Sequence, residues 1–181
     1  MSEELDVLKT VIQRLDKLKI PYMITGSIAT NFYTIPRMTR DIDIVIELHL
    51  NDVNKLFNAF KDSFYIDKNM IKDAIEKQFS FNIIHNEKIV KVDFLIKKNS
   101  EYRKLEFSRR KVVELAGMKL SITASEDLII SKLFWAKDSH SEMQLKDVAN
   151  IVQDSEGLDK KYLTKWIRKL NLEQMYNEVT K

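Results

Sequence analysis

Residues 24–46 read ITGSIATNFYTIPRMTRDIDIVI, and this stretch decides the fold prediction. It opens at the end of a short strand, turns at Gly26-Ser27 and continues as a helix over residues 28–33. After a polar loop it ends in a second strand, residues 41–48, in which acidic and apolar side chains alternate. A strand, a glycine turn and a helix followed by another strand indicate a mixed α/β domain.

The second strand carries two carboxylates on one face. Because successive side chains of a strand point to opposite faces, Asp41 and Asp43 share one face and the isoleucines share the other. Two neighbouring carboxylates repel each other unless a cation neutralises them. An ordinary solvated strand face is the alternative interpretation, and the apolar sequence around the two Asp residues weighs against it.

A later strand repeats this pattern. Residues 79–84 and 88–96 are predicted to form a hairpin, and Asp93 alternates with Val92 and Phe94 in its second strand. Carboxylate oxygens are ligands that Mg²⁺ prefers, and two ions about 3.5–4 Å apart can stabilise both oxygens of an in-line displacement at phosphorus. We therefore predict that Asp41, Asp43 and Asp93 bind metal.

The turn Gly26-Ser27 is suited to a phosphate ligand. Glycine lets the backbone approach a ligand closely, and Ser27 and the first amides of the following helix can donate hydrogen bonds to phosphate oxygens. The turn and the carboxylates together therefore predict a site for a metal-bound phosphate compound.

In this order, the turn, the Asp-x-Asp strand and the later Asp93 resemble the motifs of the polymerase β nucleotidyltransferase superfamily. The resemblance covers residues 20–97 and implies an α+β nucleotidyltransferase fold, in which helices flank a small mixed sheet. It also implies an NTP substrate and two Mg²⁺ ions. Both ions are bound by Asp41 and Asp43, whereas Asp93 binds the catalytic ion and helps to activate the attacking hydroxyl.

Arg37 and Thr39 lie in the loop that enters the second strand. This position makes them candidates for contact with the nucleotide, along with Gly26 and Ser27.

From residue 123 onwards the sequence predicts only helices, over residues 124–136, 140–153, 159–169 and 172–179. Thr123 with Glu126, and Ser139 with Glu142, have the spacing of capping boxes. We accordingly predict two domains. They are a nucleotidyltransferase α/β domain over residues 1–122, and a helical domain over residues 123–181 that packs on the active-site cleft.

Part of the helical half, residues 132–151, resembles a motif of one branch of the superfamily. That branch contains the AbiEii-like toxins of bacterial toxin–antitoxin and phage-defence systems. The resemblance implies that Lys132, Lys146 and Asp147 bind the nucleotide, with Lys146 in place of the usual Arg. Taken alone, a lysine beside an apolar stripe and a Lys-Asp pair on a solvated helix face are equally compatible with structural roles.

The composition excludes several other classes of function. Among 181 residues there is no Cys, which removes disulfides and thiolate chemistry, and the three His show no ligand spacing. No apolar run approaches the roughly 18–20 residues of a membrane span. We therefore expect a cytoplasmic protein without a membrane partner, and its net charge of +3 permits a polyanionic one.

A basic stretch follows the strand that carries Asp93. It is either a charged edge that resists aggregation or a surface that binds an RNA backbone. Its cations are Lys97, Lys98, Arg103, Lys104, Arg109, Arg110 and Lys111.

The resemblance as a whole implies Mg²⁺-dependent transfer of a nucleoside monophosphate from an NTP to a hydroxyl acceptor. The resemblance also implies RNA (tRNA included) or a protein as acceptor, and the role of a toxin that has a cognate antitoxin. Two alternatives stay open: a nucleotidyltransferase acting on a small molecule such as an antibiotic, and a non-catalytic nucleotide-binding module on the same fold.

Overall fold

A computed structural model describes residues 2–180, apart from the side chain of Asp138. Residues 1 and 181, the outer ends of the two predicted domains, lie outside the described residues. The strands are β1 (Tyr22–Ile24), β2 (Asp41–Ile46), β3 (Phe64–Tyr65), β4 (Ser80–His85), β5 (Lys91–Ile96), β6 (Lys111–Leu115) and β7 (Met118–Ile122). The α-helices are α1 (Glu3–Leu18), α2 (Gly26–Tyr33), α3 (Val53–Phe60), α4 (Lys68–Lys77), α5 (Glu101–Ser108), α6 (Ser125–Ser139), α7 (Glu142–Asp154), α8 (Lys160–Lys169) and α9 (Glu173–Val179).

The strands form one mixed sheet of seven strands in the order β3-β4-β5-β2-β1-β7-β6. Within it, β2 is antiparallel to β1 and parallel to β5, and β1 is parallel to β7. Helices cover this sheet, so the predicted α+β class is confirmed.

The pairing of β2 with β5 fixes where the polar side chains of both strands lie. Asp41 is paired with Lys91, and Asp43 with Asp93, so these four side chains share one face of the sheet. The alternate residues of both strands are buried in the core with α1, α3 and α4. A slip of one residue would move the apolar side chains out of this core, so their burial sets the register of the acidic side chains.

Helix α2 connects the sheet to the helical half. Ala29 packs in a second apolar core, formed mainly by α6, α7, α8 and α9, and the Tyr33 hydroxyl donates a hydrogen bond of 2.9 Å to the carbonyl of Thr123. Tyr102 of α5 joins the same core. The second core thus draws side chains from both halves, and the division at residue 122 stays a prediction.

Both capping-box predictions are wrong, because the side chains concerned have other partners. The residue that precedes α6 is Ala124; the Thr123 hydroxyl donates to the carbonyl of Ile24, and Glu126 accepts from the backbone amide of Asp159. Ser139 still lies within α6, where its hydroxyl donates to the carbonyl of Trp135.

Helix α5 was not predicted from the sequence. Its side chains do not separate into an apolar and a charged face, since Glu106 is buried together with Tyr102 and Phe107.

Within the part of the chain that the structure describes, none of the helices combines the length and apolar character needed to cross a membrane.

Candidate active site

The structure brings the three predicted metal ligands onto one face of β2 and β5, together with a lysine that was not predicted. The Lys91 ammonium lies 2.8 Å from a carboxylate oxygen of Asp93 and 3.8 Å from one of Asp41. We call Asp41, Asp43, Asp93 and Lys91 the acidic face. Three carboxylates share one ammonium there, so negative charge is in excess.

The N-terminal end of α2 is pressed against this face. Gly26 has a φ of +61°, and a Cβ placed on it would lie 2.8 Å from Cγ of Asp43. Any other residue would be strained by the positive φ and would clash with the carboxylate. The amide of Thr25 donates a hydrogen bond of 2.9 Å to the Asp43 carbonyl, which fixes the turn against β2.

Asp43 lies in an unfavourable position for a carboxylate. Burial raises its pKa, and the nearby charges of Asp93 and Asp41 raise it further, whereas Lys132 and Lys91 act in the opposite direction. A cation near Asp43 would relieve this repulsion. The donors are hard carboxylate oxygens, so the acidic face fits Mg²⁺ by its chemistry.

The carboxylates are nevertheless not arranged as a preformed metal cage. Among residues 2–180, no three acidic or His side chains form a group that would hold a metal as it stands. Asp93 contacts the Lys91 ammonium, which also lies 3.8 Å from Asp41, so a cation of the chain itself occupies part of the acidic face. Metal binding by the three Asp residues therefore stays a prediction, and it requires these side chains to reorient.

A cluster with the opposite balance of charge lies beside the acidic face. The buried carboxylate of Asp147 accepts hydrogen bonds from Arg37 at 3.1 and 3.3 Å and from the Lys132 ammonium at 2.8 Å. Arg37 also donates to the Ser27 hydroxyl at 2.9 Å. We call Arg37, Lys132 and Asp147 the cationic cluster, because its two cations share a single carboxylate.

The two clusters influence each other through Lys132. Burial lowers the pKa of Lys132, whereas the charges of Asp147 and Asp43 raise it. Burial alone would raise the pKa of Asp147, but its bonds to Arg37 and Lys132 outweigh this effect and lower it. Lys132 and Asp147 therefore form a buried ion pair, and the negative charge of Asp43 also acts on Lys132.

Two side chains hold the loop between α2 and β2 in place. The Asn31 amide donates to the carbonyl of Arg37 at 2.7 Å and accepts from its backbone amide at 3.0 Å. The Thr39 hydroxyl donates to the carbonyl of Asp41 at 3.2 Å. The prediction missed Asn31, although it follows Ser27 by four residues and so shares its helix face.

The remaining predicted contact, Lys146, is exposed on α7, and its ammonium group has no hydrogen bond or ion pair with the described side chains and backbone. Its contact with the nucleotide stays a prediction, as do those of Gly26, Ser27, Arg37, Thr39, Lys132 and Asp147.

The basic stretch is largely occupied by contacts inside the protein. Four of its seven cationic groups have intramolecular partners, and only the ammonium groups of Lys98, Lys104 and Lys111 have no hydrogen bond or ion pair with the described side chains and backbone. The pairs are Lys97 with Glu47, Arg103 with Glu106, Arg109 with Asp127, and Arg110 with the carbonyl of Phe107. Cations held in this way contribute less to a surface for a polyanion.

The fold is similar to that of several solved nucleotidyltransferases. A nucleotidyltransferase-like protein from Paracoccidioides brasiliensis is 19% identical with a TM-score of 0.56, over 97% of this chain and 93% of that one. The antibiotic-resistance factor ANT(2″)-Ia is 10% identical with a TM-score of 0.63, over 96% and 95%. The lincosamide antibiotic adenylyltransferase LnuA is 13% identical with a TM-score of 0.57, over 86% and 98%.

No protein-family model matches the sequence, and no curated protein sequence matches it either. At these identities the likeness concerns the fold alone. The predicted nucleotidyltransferase fold is thereby confirmed.

Proposed function

We propose that this chain is a Mg²⁺-dependent nucleotidyltransferase that acts in the cytosol, where NTPs are available. The observation that carries the proposal is the adjacency of the acidic face and the cationic cluster at the Gly26-Ser27 turn. One region has an excess of carboxylates and the other an excess of cations. A metal–triphosphate complex has the complementary arrangement, since its metal ions attract carboxylates and its phosphates attract Arg and Lys.

Each charged group then has a distinct role. Asp41, Asp43 and Asp93 would hold two Mg²⁺ ions, which neutralise phosphate charge and lower the pKa of a bound hydroxyl. Arg37 and Lys132 would bind phosphate oxygens while Asp147 keeps both cations aimed at the turn. Gly26 lets the backbone lie directly against the Asp43 carboxylate, and the Ser27 hydroxyl would exchange its bond with Arg37 for one with phosphate.

The proposed reaction is a displacement at the α-phosphorus of the NTP. The acceptor oxygen forms a bond to this phosphorus, the bond from phosphorus to the oxygen bridging the α and β phosphates breaks, and pyrophosphate leaves. The hydroxyl gives up its proton during this step to the Asp93 carboxylate, which can pass it on to solvent. Asp93 is our candidate for orienting the hydroxyl, because it lies beside Asp43 on the neighbouring strand.

Two classes of acceptor have separate support. The resemblance of residues 132–151 to the AbiEii-like branch supports RNA, tRNA or a protein as acceptor, and a toxin that has a cognate antitoxin. The fold likeness to LnuA, solved with lincomycin, and to ANT(2″)-Ia, solved with adenylyl-2″-tobramycin, supports a small hydroxylated molecule. Both enzymes are matched over at least 95% of their length, so their folds extend little beyond this one.

The decisive experiment supplies the purified protein with Mg²⁺ and each of the four α-labelled NTPs. Total bacterial RNA, a protein lysate and a panel of hydroxylated antibiotics are offered in separate reactions. We expect one class of acceptor to become labelled, with one pyrophosphate released per transfer. Asp43→Asn should lower the rate by on the order of a thousandfold or more, as is usual when a central catalytic group is removed.

Asp73→Asn, a change on the exposed face of α4, is the matched control and should keep full activity. A toxin would also arrest growth when expressed, and Asp43→Asn would relieve the arrest. Nucleotide binding without transfer to any acceptor would instead support the non-catalytic module. Absence of both binding and transfer would contradict the proposal.

A further inference from the structure

Lys91 lies where a metal would have to bind. Its ammonium contacts Asp93 at 2.8 Å and lies 3.8 Å from Asp41, two of the three proposed metal ligands. It neutralises part of their charge as a divalent ion would. The lysine and a metal therefore require the same carboxylate oxygens.

Lys91 is also free to leave this position. Its side chain is 41% exposed, whereas that of Lys132 is 5% exposed and fixed by Asp147 and Gln144. A lysine has a flexible four-carbon stem and a well-hydrated ammonium. Lys91 can thus turn into solvent and keep its own charge hydrated, whereas Lys132 is held in the interior.

The register of the sheet makes this position specific. Lys91 is the partner of Asp41 across β2 and β5, and it precedes Asp93 by two residues, so its side chain extends over the same face as all three carboxylates. No other cation forms an ion pair with these carboxylates within residues 2–180.

We propose that Lys91 is a tethered counter-cation, which stabilises the metal-free protein and competes with divalent metal for Asp41 and Asp93. This inference rests on the metal-binding role proposed above. Because the ammonium must be displaced, free Mg²⁺ or Mn²⁺ binds weakly. A metal that arrives on a nucleotide binds more readily, because contacts with the phosphates add to its affinity.

The test measures Mn²⁺ affinity without nucleotide, by electron paramagnetic resonance or calorimetry, and the melting temperature without metal. Lys91→Met should bind Mn²⁺ about two- to fivefold more tightly, the size expected for one partly exposed ion pair. Its metal-free melting temperature should fall. Lys91→Arg keeps the charge and should restore both values, and Lys91→Gln serves if the Met variant does not fold.

Lys88→Met is the matched control, because it removes the same charge from the same hairpin and breaks only the pair with Asp6. It should leave Mn²⁺ affinity unchanged. If the wild type binds Mn²⁺ and Lys91→Met binds it no more tightly, the inference about Lys91 is wrong while the metal site stands. If neither the wild type nor Lys91→Met binds Mn²⁺, both the inference and the metal assignment fail. The same holds if Asp43→Asn, which lacks one proposed ligand, binds Mn²⁺ as tightly as the wild type.

Discussion

The acidic face differs from a second cluster of charges, between α5, α6 and α8, in how its carboxylates are paired. Both contain carboxylates and cations, but only the second cluster provides each carboxylate with hydrogen-bond donors. We call Glu106, Glu126 and Asp127, with Arg103 and Arg109, the buried network. Asp127 is completely buried, yet it accepts bonds from Arg109 at 2.9 Å and from the Tyr162 hydroxyl at 2.6 Å. On the acidic face, three carboxylates share only Lys91.

The other carboxylates of the buried network are equally well satisfied. Glu106 accepts from Arg103 at 2.8 and 3.0 Å and from the Ser131 hydroxyl. Glu126 accepts from the amide of Asp159 at 3.0 Å and from Arg109 at 3.3 Å. Buried charges of this kind are tolerated when they are paired and hydrogen-bonded, and they hold elements of the fold together.

This difference distinguishes the charges of the buried network, which hold the fold together, from the charges of the other two clusters, which are available to a ligand. The buried network has three carboxylates and two Arg side chains, but hydroxyls and a backbone amide supply the remaining hydrogen bonds, so none of its carboxylates depends on a ligand. The acidic face and the cationic cluster each retain an excess, of opposite sign, and they are adjacent. We therefore expect substitutions in the buried network to change stability, and those in the other two clusters to change ligand binding.

The largest effect on stability is expected for Asp127→Ala. The change leaves Arg109 and the hydroxyls of Tyr162 and Tyr102 without their common acceptor, at the contact of three helices. Removal of one partner from a buried ion pair lowers the free energy of unfolding by about 3 kcal/mol. Urea titration followed by circular dichroism measures this change.

The control is Asp73→Ala, which breaks the exposed pair with Lys77 on α4. Exposed pairs of this type contribute less than about 1 kcal/mol. Equal losses in the two variants would contradict the structural role of the buried network.

A smaller effect, on nucleotide binding, is expected for Asp147→Asn. The neutral side chain holds Arg37 and Lys132 less firmly, so the two cations are no longer aimed at the turn. We expect the Kd for the NTP to rise about tenfold, which corresponds to one charge-assisted hydrogen bond. Equilibrium titration with a fluorescent NTP measures it.

Asp154→Asn changes an exposed residue at the end of the same helix and should leave the affinity unchanged. Tighter binding by Asp147→Asn would mean that Asp147 competes with phosphate for the two cations and does not position them.

The position of a side chain could be predicted from the sequence where apolar and polar residues alternate strictly along a strand. Alternation along β2 and β5 placed Asp41, Asp43 and Asp93 on one face, because the apolar alternate residues must be buried. At Gly26 the sequence predicted a close approach of the backbone to phosphate; the close approach that the structure shows is to the Asp43 carboxylate, at a positive φ.

Contacts between distant segments were not predictable from the sequence. Lys91 precedes Asp93 by two residues, so its face was known, but its proximity to Asp41 depends on the pairing of β2 with β5. The bond from Arg37 to Asp147 joins residues 110 positions apart. Helix α5 buries Glu106, against the expectation that charges face solvent, because Arg103 and Ser131 satisfy its carboxylate.

The smallest effect is a gain in stability from Asp43→Asn, and it depends on pH. In the folded protein, burial and then the charges of Asp93 and Asp41 raise the pKa of Asp43 above its ordinary value of 3.8. Between the two pKa values the folded state binds more protons than the unfolded state. The free energy of unfolding of the metal-free protein therefore falls as pH rises through this interval.

Asp43→Asn carries no such charge, so its free energy of unfolding should exceed that of the wild type at neutral pH. The gain should be below about 1 kcal/mol, since Asn also loses the attraction of Lys132 and Lys91. It should shrink as the pH falls towards 3.8. Saturating Mg²⁺ should reverse the order of stability at neutral pH, because only the wild type retains all three carboxylates. The opposite result would be a metal-free wild type that is more stable than Asp43→Asn. It would show that Lys91 and Lys132 already neutralise the repulsion among the three carboxylates.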